Sequence, residues 1–186
     1  MEDIKERIVD ETIIRFNKVG LKFTIDELVE SMHISKKTVY KLFGNKVELL
    51  KYVVDCVFEG ISEKEKEIIA DDSLDLIEKI KRVIVCLPDK YKDIDFRKVY
   101  QIKDKYPEVY EYIIDKIDSS WDRTNRLFIR AMENELIKDT PLVFIRLMFL
   151  GCIKQMITSK EVLKIGLSYE EIMEKMVNVI MTGITL

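Results

Sequence analysis

The chain has 186 residues, of which 47% are apolar and 35% charged, and it carries only 6 Gly and 3 Pro. That balance excludes a disordered chain, and the scarcity of turn residues excludes an all-β fold. A net charge of −3 excludes a generally basic nucleic-acid coat but not a local basic site, because binding responds to local potential.

Helical periodicity dominates, and no repeat or low-complexity segment is visible. The first helix spans 4–19, with Ile4, Ile8, Val9, Thr12, Ile13, Phe16 and Val19 on one side, Asp3 as its cap and Gly20 as its stop. Thr24 and Glu27 read as a capping box opening a second helix that runs to Met32. After the short break "HIS", Ser35 caps a third helix, 36–43, which Gly44 ends. Asn45 caps a long fourth helix, which "ADDS" at 70–73 interrupts at a candidate boundary. Ser73 starts the next helix, which Pro88 closes. The segment from Tyr91 to Pro107 is less regular, and one long helix is expected from Pro107 to Glu135. Thr140 and Pro141 start another, and the last begins near Ser168.

Three cysteines, at 56, 86 and 152, are odd in number and widely spaced, which predicts reduced thiols in a cytoplasmic protein. The charged start "MEDIKERIVDE" lacks the apolar core of a secretory signal. The apolar run 141–158 carries Arg146 and Lys154 and is short for a membrane span, so a buried interface helix is expected instead. A lone His33, with no His–Cys cluster, no GxSxG and no phosphate loop, predicts neither metal, cofactor nor catalysis.

The stretch "HISKKTVYKLFGNKVELL" holds four lysines and no acid before Glu48. Around the third helix, Val39, Leu42 and Phe43 cluster on one face, while Lys36, Lys37, Tyr40 and Lys41 fill the other. One face packs and one is basic and aromatic, as a helix lying in a DNA major groove requires. Lys36 and Lys37 sit in the first turn, where the helix dipole disfavours cations by about a few tenths of a kcal/mol each. A phosphate or a guanine edge would supply the missing partner, and Thr38 can touch a thymine methyl or a backbone oxygen. Lys41, Lys46 and the Tyr40 hydroxyl suit phosphates, as do the amides of the helix that Asn45 caps, and Ser35 at the start of the third helix is a further DNA-binding candidate. A solvated basic helix face is the competing reading.

The residues from Phe16 to Leu50 resemble the N-terminal module of the tetracycline-repressor-like (TetR) transcriptional regulators. Phe16, Gly20, Thr24, Ile34, Ser35, Thr38, Val39, Tyr40, Phe43, Lys46 and Leu49 or Leu50 carry the likeness. The resemblance implies an all-α homodimer with a helix-turn-helix DNA-binding domain over 1–46 and a helical effector-binding and dimerisation domain over 47–186. It implies a repressor on a palindromic operator, released by a small-molecule effector. By matching position, Lys36, Lys37, Thr38 and Tyr40 would face the groove or its edge, and Thr24, Lys41 and Lys46 the phosphates. Two residues depart from the pattern: His33 stands where the family usually has Gly, and Val29 where it has a smaller residue. His33 is therefore expected to hold the left-handed turn itself, at a cost of about 1–2 kcal/mol for most non-glycine residues.

The helix 141–158 is apolar nearly all round, with Gly151 at its middle, so it needs cover on more than one side. A second subunit would supply it, with 168–182 as companion; a central helix within one domain is the competing reading. An effector pocket is expected among the middle helices, with Phe96, Tyr100, Tyr112, Trp121, Phe128, Met132 and Met148 as candidate lining. Plain core packing is the competing reading for each. Arg97, Arg123, Arg126 and Arg130 are candidates to meet an anionic effector, with plain solvent-exposed arginines as the competing reading. A helical interaction module without DNA binding is the alternative function; it explains the periodicity but not Lys36 and Lys37 at a helix start.

Overall fold

The computed structural model describes residues 2–186 apart from 93, 95–97, 160, 162, 163 and 165, and backbone only at 2, 100 and 158. The architecture is all-α. Helix α1 (Glu2–Val19) leads through a short 3-10 turn into α2 (Ile25–Met32), α3 (Lys36–Phe43) and the long α4 (Lys46–Ala70). There follow α5 (Leu76–Val85), α6 (Tyr100–Lys105), α7 (Pro107–Ser119), α8 (Asp122–Glu133), α9 (Leu142–Thr158) and α10 (Tyr169–Ile184). None of the described helices is long and apolar enough to cross a membrane.

The helix starts are set by side chains that accept otherwise unpaired backbone N–H groups. Thr24 Oγ1 accepts from Glu27 N at 3.2 Å while Glu27 accepts from Thr24 N at 2.7 Å, which completes the capping box of α2. Ser35 caps α3 through Thr38 N, Asn45 caps α4 through Glu48 N, and Ser168 and Glu171 form a second box at α10.

Four boundaries differ from the sequence reading. Helix α1 already begins at Glu2, so Asp3 lies within its first turn. Helix α5 is capped by Asp75 rather than Ser73, because Asp71 Oδ1 accepts both the hydroxyl and the backbone N–H of Ser73 and holds it in the preceding turn. The expected long helix from Pro107 is two helices. The hydroxyls of Ser119 and Ser120 donate back to the carbonyls of Lys116 and Ile117, and such bonds compete with helix continuation. The break turns Trp121 inward against Phe149, with ring centroids 5.8 Å apart. Thr140 makes no cap at α9, where Pro141 holds the cap position without a side-chain bond.

Two main cores result. The first joins Ile8, Phe16, Phe23, Leu28, Val39 and Leu49 to Val99, Ile102 and Val109, so the first four helices pack directly on α6 and α7. The second gathers α5, α8, α9 and α10 around Ile80, Phe128, Phe149 and Met181. Helix α4 runs unbroken beside both. Side chains as buried as Phe23, Leu28 and Phe149 each stabilise the fold by about 1.5–3 kcal/mol.

Candidate functional site

Helices α2 and α3 form a helix-turn-helix whose bend is His33. Its backbone is left-handed (φ 54°, ψ 41°), its N–H donates to the Glu30 carbonyl, and the Ile34 N–H reaches back to Val29. In α3, Val39 and Phe43 are buried, whereas Ser35, Lys36, Lys37, Tyr40, Lys41 and Asn45 are exposed and Thr38 is half-buried. Gly44, at φ 76°, ends the helix in a conformation that glycine adopts without strain. Thr24 stands exposed at the start of α2.

The two lysines of the first turn differ. Lys36 Nζ lies 2.7 Å from Asp26 on α2, and that hydrogen bond raises the pKa of the amine. The partner inferred to be missing for Lys36 is thus supplied within the chain. Lys37 has no salt bridge among the described residues, so it alone of the pair stands uncompensated in the positive end of the dipole. Lys46 is placed differently from an outward phosphate contact. Its amine is half-buried, donates to the carbonyls of Leu21 and Phe23, and lies 3.8 Å from the centre of the Phe23 ring. Burial pushes it down to about 8, with nearby Lys105 adding to the effect. Lys46 therefore fastens the start of α4 to the loop before α2.

Below this head lies a cavity of about 210 Å³ between α1, α4 and the middle helices. Thr12, Ile13 and Phe16 of α1 form one wall, and Val53, Val57 and Ile61 of α4 another. Val83, Ile117, Trp121, Ile153 and Met173 close it from the body. Among the residues expected to line a pocket, Trp121 does so. Phe128 is fully buried in the second core, against Phe149 at 6.0 Å, and Met132 packs on the same core. Met148 is exposed on α9, and Tyr112 donates its hydroxyl to Asp55 at 2.6 Å. Phe96, Arg97 and the Tyr100 side chain lie outside the described residues.

Glu65, which the sequence reading passed over, is a carboxylate buried in the wall of this cavity and bonded to Arg123 Nη1 at 2.9 Å. Burial raises its pKa, and the Arg123 bond opposes that shift. A signal was present: Glu65 falls four residues after Ile61 on the apolar stripe of α4. Glu65 also borders a second, polar hollow with Lys116, Arg123 and Arg126, while Arg130 is exposed on α8. Cys86 faces the cavity, its thiol pushed up to about 12 by burial; Cys56 and Cys152 are half-buried, and all three thiols are free.

Helix α9 turns Val143, Phe144, Leu147 and Met148 outward, between 40% and 62% exposed. Gly151, exposed near the middle of the helix, follows that face, with nothing within 4 Å of where a Cβ would stand. The charges of α9 point the other way: Arg146 donates to the Asp118 carbonyl and Lys154 pairs with the Asp118 carboxylate at 2.8 Å. An uninterrupted apolar strip is left facing out.

No family model matches the chain. It is 25% identical over 181 residues to YvaF of Bacillus subtilis (strain 168), an uncharacterized HTH-type transcriptional regulator, covering 97% of this chain and 95% of that one. Among solved structures, it superposes on a putative transcriptional regulator from Saccharomonospora viridis, in complex with choline, with a TM-score of 0.73, 14% identity and all of both chains covered. It also superposes on a TetR/AcrR-family regulator from Thermobifida fusca YX-ER1, with a TM-score of 0.68 and 16% identity over 97% of this chain and 98% of the other. With its helix-turn-helix head, long α4 and helical body, this chain has the fold of the TetR-family transcriptional regulators.

Proposed function

We propose that the chain is a DNA-binding transcriptional regulator, a cytoplasmic homodimer that represses from a palindromic operator and is released by a small-molecule effector. The observation that carries this reading is α3: capped by Ser35, anchored by Val39 and Phe43, and presenting Lys37 uncompensated beside Tyr40 and Lys41. A groove-facing helix needs that division of faces. Thr24, Thr38 and Asn45 stand at helix starts around it, suited to phosphate oxygens. Lys36 joins the interface by exchanging Asp26 for a phosphate, whereas Lys46 contributes by holding α4 to the head.

The outward strip of α9, with Val179 exposed on α10, supports a two-fold contact between subunits. Two heads related by that symmetry suit half-sites about one helical turn apart, or a multiple of it. The cavity supports the effector half of the reading. A ligand that binds one head arrangement better than another shifts the population between them.

The test is fluorescence anisotropy with labelled duplex from upstream of the chain's own gene. Affinity is expected to fall steeply with salt. Lys37→Ala is expected to weaken specific binding by about 1–3 kcal/mol and relax sequence preference. Affinity and preference unchanged in a Lys37→Ala, Tyr40→Phe double variant would refute the assignment of α3 as reading helix.

A further inference from the structure

We propose that the effector is a small, neutral, apolar molecule of about eight to ten heavy atoms, held in the cavity between α1 and α4 so that it touches the head directly at α1. This rests on the regulator reading above and adds the ligand's chemical class and its point of contact.

The size follows from the volume. An apolar cavity of about 150 Å³ takes benzene, and the present 210 Å³ accommodates a ring with a short alkyl tail or a medium-chain alcohol. The class follows from the walls, which are predominantly aliphatic and aromatic. The polar side chains facing the space are largely engaged by the chain itself. The Thr12 hydroxyl donates to the Ile8 carbonyl at 2.7 Å, Ser120 donates to Ile117, and the Cys86 thiol lies 3.2 Å from the Val83 carbonyl. Glu65 is bonded to Arg123, and it is a residue of both the apolar cavity and the polar hollow, so this pair stands at their border. A charged ligand entering the apolar side would lose its water and meet a carboxylate already neutralised by its own partner. The cations of the polar hollow, Lys116 and Arg126, do not line the apolar cavity.

The point of contact follows from the topology. Ile13 and Phe16 belong to the helix that supports α2 and α3, and the same side chains form the cavity wall facing Val57 of α4. An occupant packs against both helices at once. Its affinity therefore depends on where α1 sits relative to the body, and that dependence is the coupling energy.

The chain has one tryptophan, Trp121, and it lines the cavity, so it reports occupancy without a label. The experiment titrates the full chain with n-butylbenzene and 1-octanol, against octanoate and n-octylammonium at pH 7. Trp121 emission and melting temperature are recorded for each. The neutral probes are expected to shift the emission saturably and raise the melting temperature, and the charged probes to bind at least tenfold more weakly. Ile13→Ala is expected to weaken n-butylbenzene about fivefold and the milder Ile13→Val about twofold. Ile14→Ala, on the exposed side of the same helix and away from the cavity, is expected to leave it unchanged. Circular dichroism checks that each variant is folded. Three results overturn the proposal: Trp121 emission unmoved up to probe solubility, charged probes matching 1-octanol, or both Ile13 variants binding like the parent chain. No DNA enters these measurements. A chain that binds DNA but no probe loses this inference alone, and one that binds probes but no DNA loses the regulator reading.

Discussion

Removing the Arg123 charge isolates what the buried Glu65 carboxylate requires. Arg123→Met keeps most of the aliphatic stem and deletes the guanidinium that donates to Glu65 Oε2 at 2.9 Å. Breaking a fully buried pair from one side costs about 3–5 kcal/mol. Here the Glu65 side chain is 7% exposed but Arg123 is 31% exposed, so solvent screens part of the interaction and about 2 kcal/mol is expected at pH 7. For a chain of this length that lowers the melting temperature by about 4–8 °C. The pH dependence provides a second check. Glu65 has its folded-state pKa raised above the ordinary 4.5, so the folded chain binds its proton more tightly than the unfolded chain does. That contribution is complete below the unfolded value and is lost as pH rises through the folded one. The variant raises the folded value further, so its deficit is largest near neutrality and shrinks as the pH falls and Glu65 takes up a proton. Thermal melts at pH 7 and pH 5, at one protein concentration, measure both effects. Adding Glu65→Gln to Arg123→Met is expected to recover most of the loss at pH 7. An unchanged melting temperature at pH 7, or a deficit that grows on acidification, would refute the reasoning.

Three further outcomes are expected. His33→Gly relieves a left-handed non-glycine residue and is expected to stabilise the chain by about 0.5–1 kcal/mol, once the greater freedom of glycine in the unfolded state is subtracted; thermal melting measures it. Lys46 has its pKa depressed to about 8, so the unfolded chain binds more protons than the folded one between there and 10.5. The stability of the parent relative to Lys46→Met therefore rises from pH 8 to pH 10.5, and a difference independent of pH in paired melts would contradict the burial argument. Phe144→Glu with Leu147→Glu places two charges on the outward strip of α9 and is expected to convert dimer to monomer in sedimentation equilibrium, whereas an unchanged mass would exclude that face as the interface.

What the sequence determined by itself is local. Thr24 with Glu27, Ser35, and Asn45 with Glu48 mark helix starts because the groups that pair lie three residues apart. The faces of α3 were legible because Val39 and Phe43 share one side of a 3.6-residue period that Lys37 and Lys41 do not. The left-handed bend at His33 followed from the resemblance, because His33 stands where the family usually has Gly, and the backbone there is left-handed. What the tertiary structure alone decided joins residues far apart in the chain. Asp26 compensates Lys36 across the helix-turn-helix, the carbonyls of Leu21 and Phe23 take the Lys46 amine, and Arg123 reaches Glu65 across the body. The break before Trp121 accompanies the packing of its ring on Phe149, 28 residues away in the helix that returns past it. The cavity has no local signature, because its walls come from helices throughout the chain and its volume is the space their faces leave when they pack. A periodic pattern shows which side of a helix turns inward; only the packed chain shows which other helix it meets there.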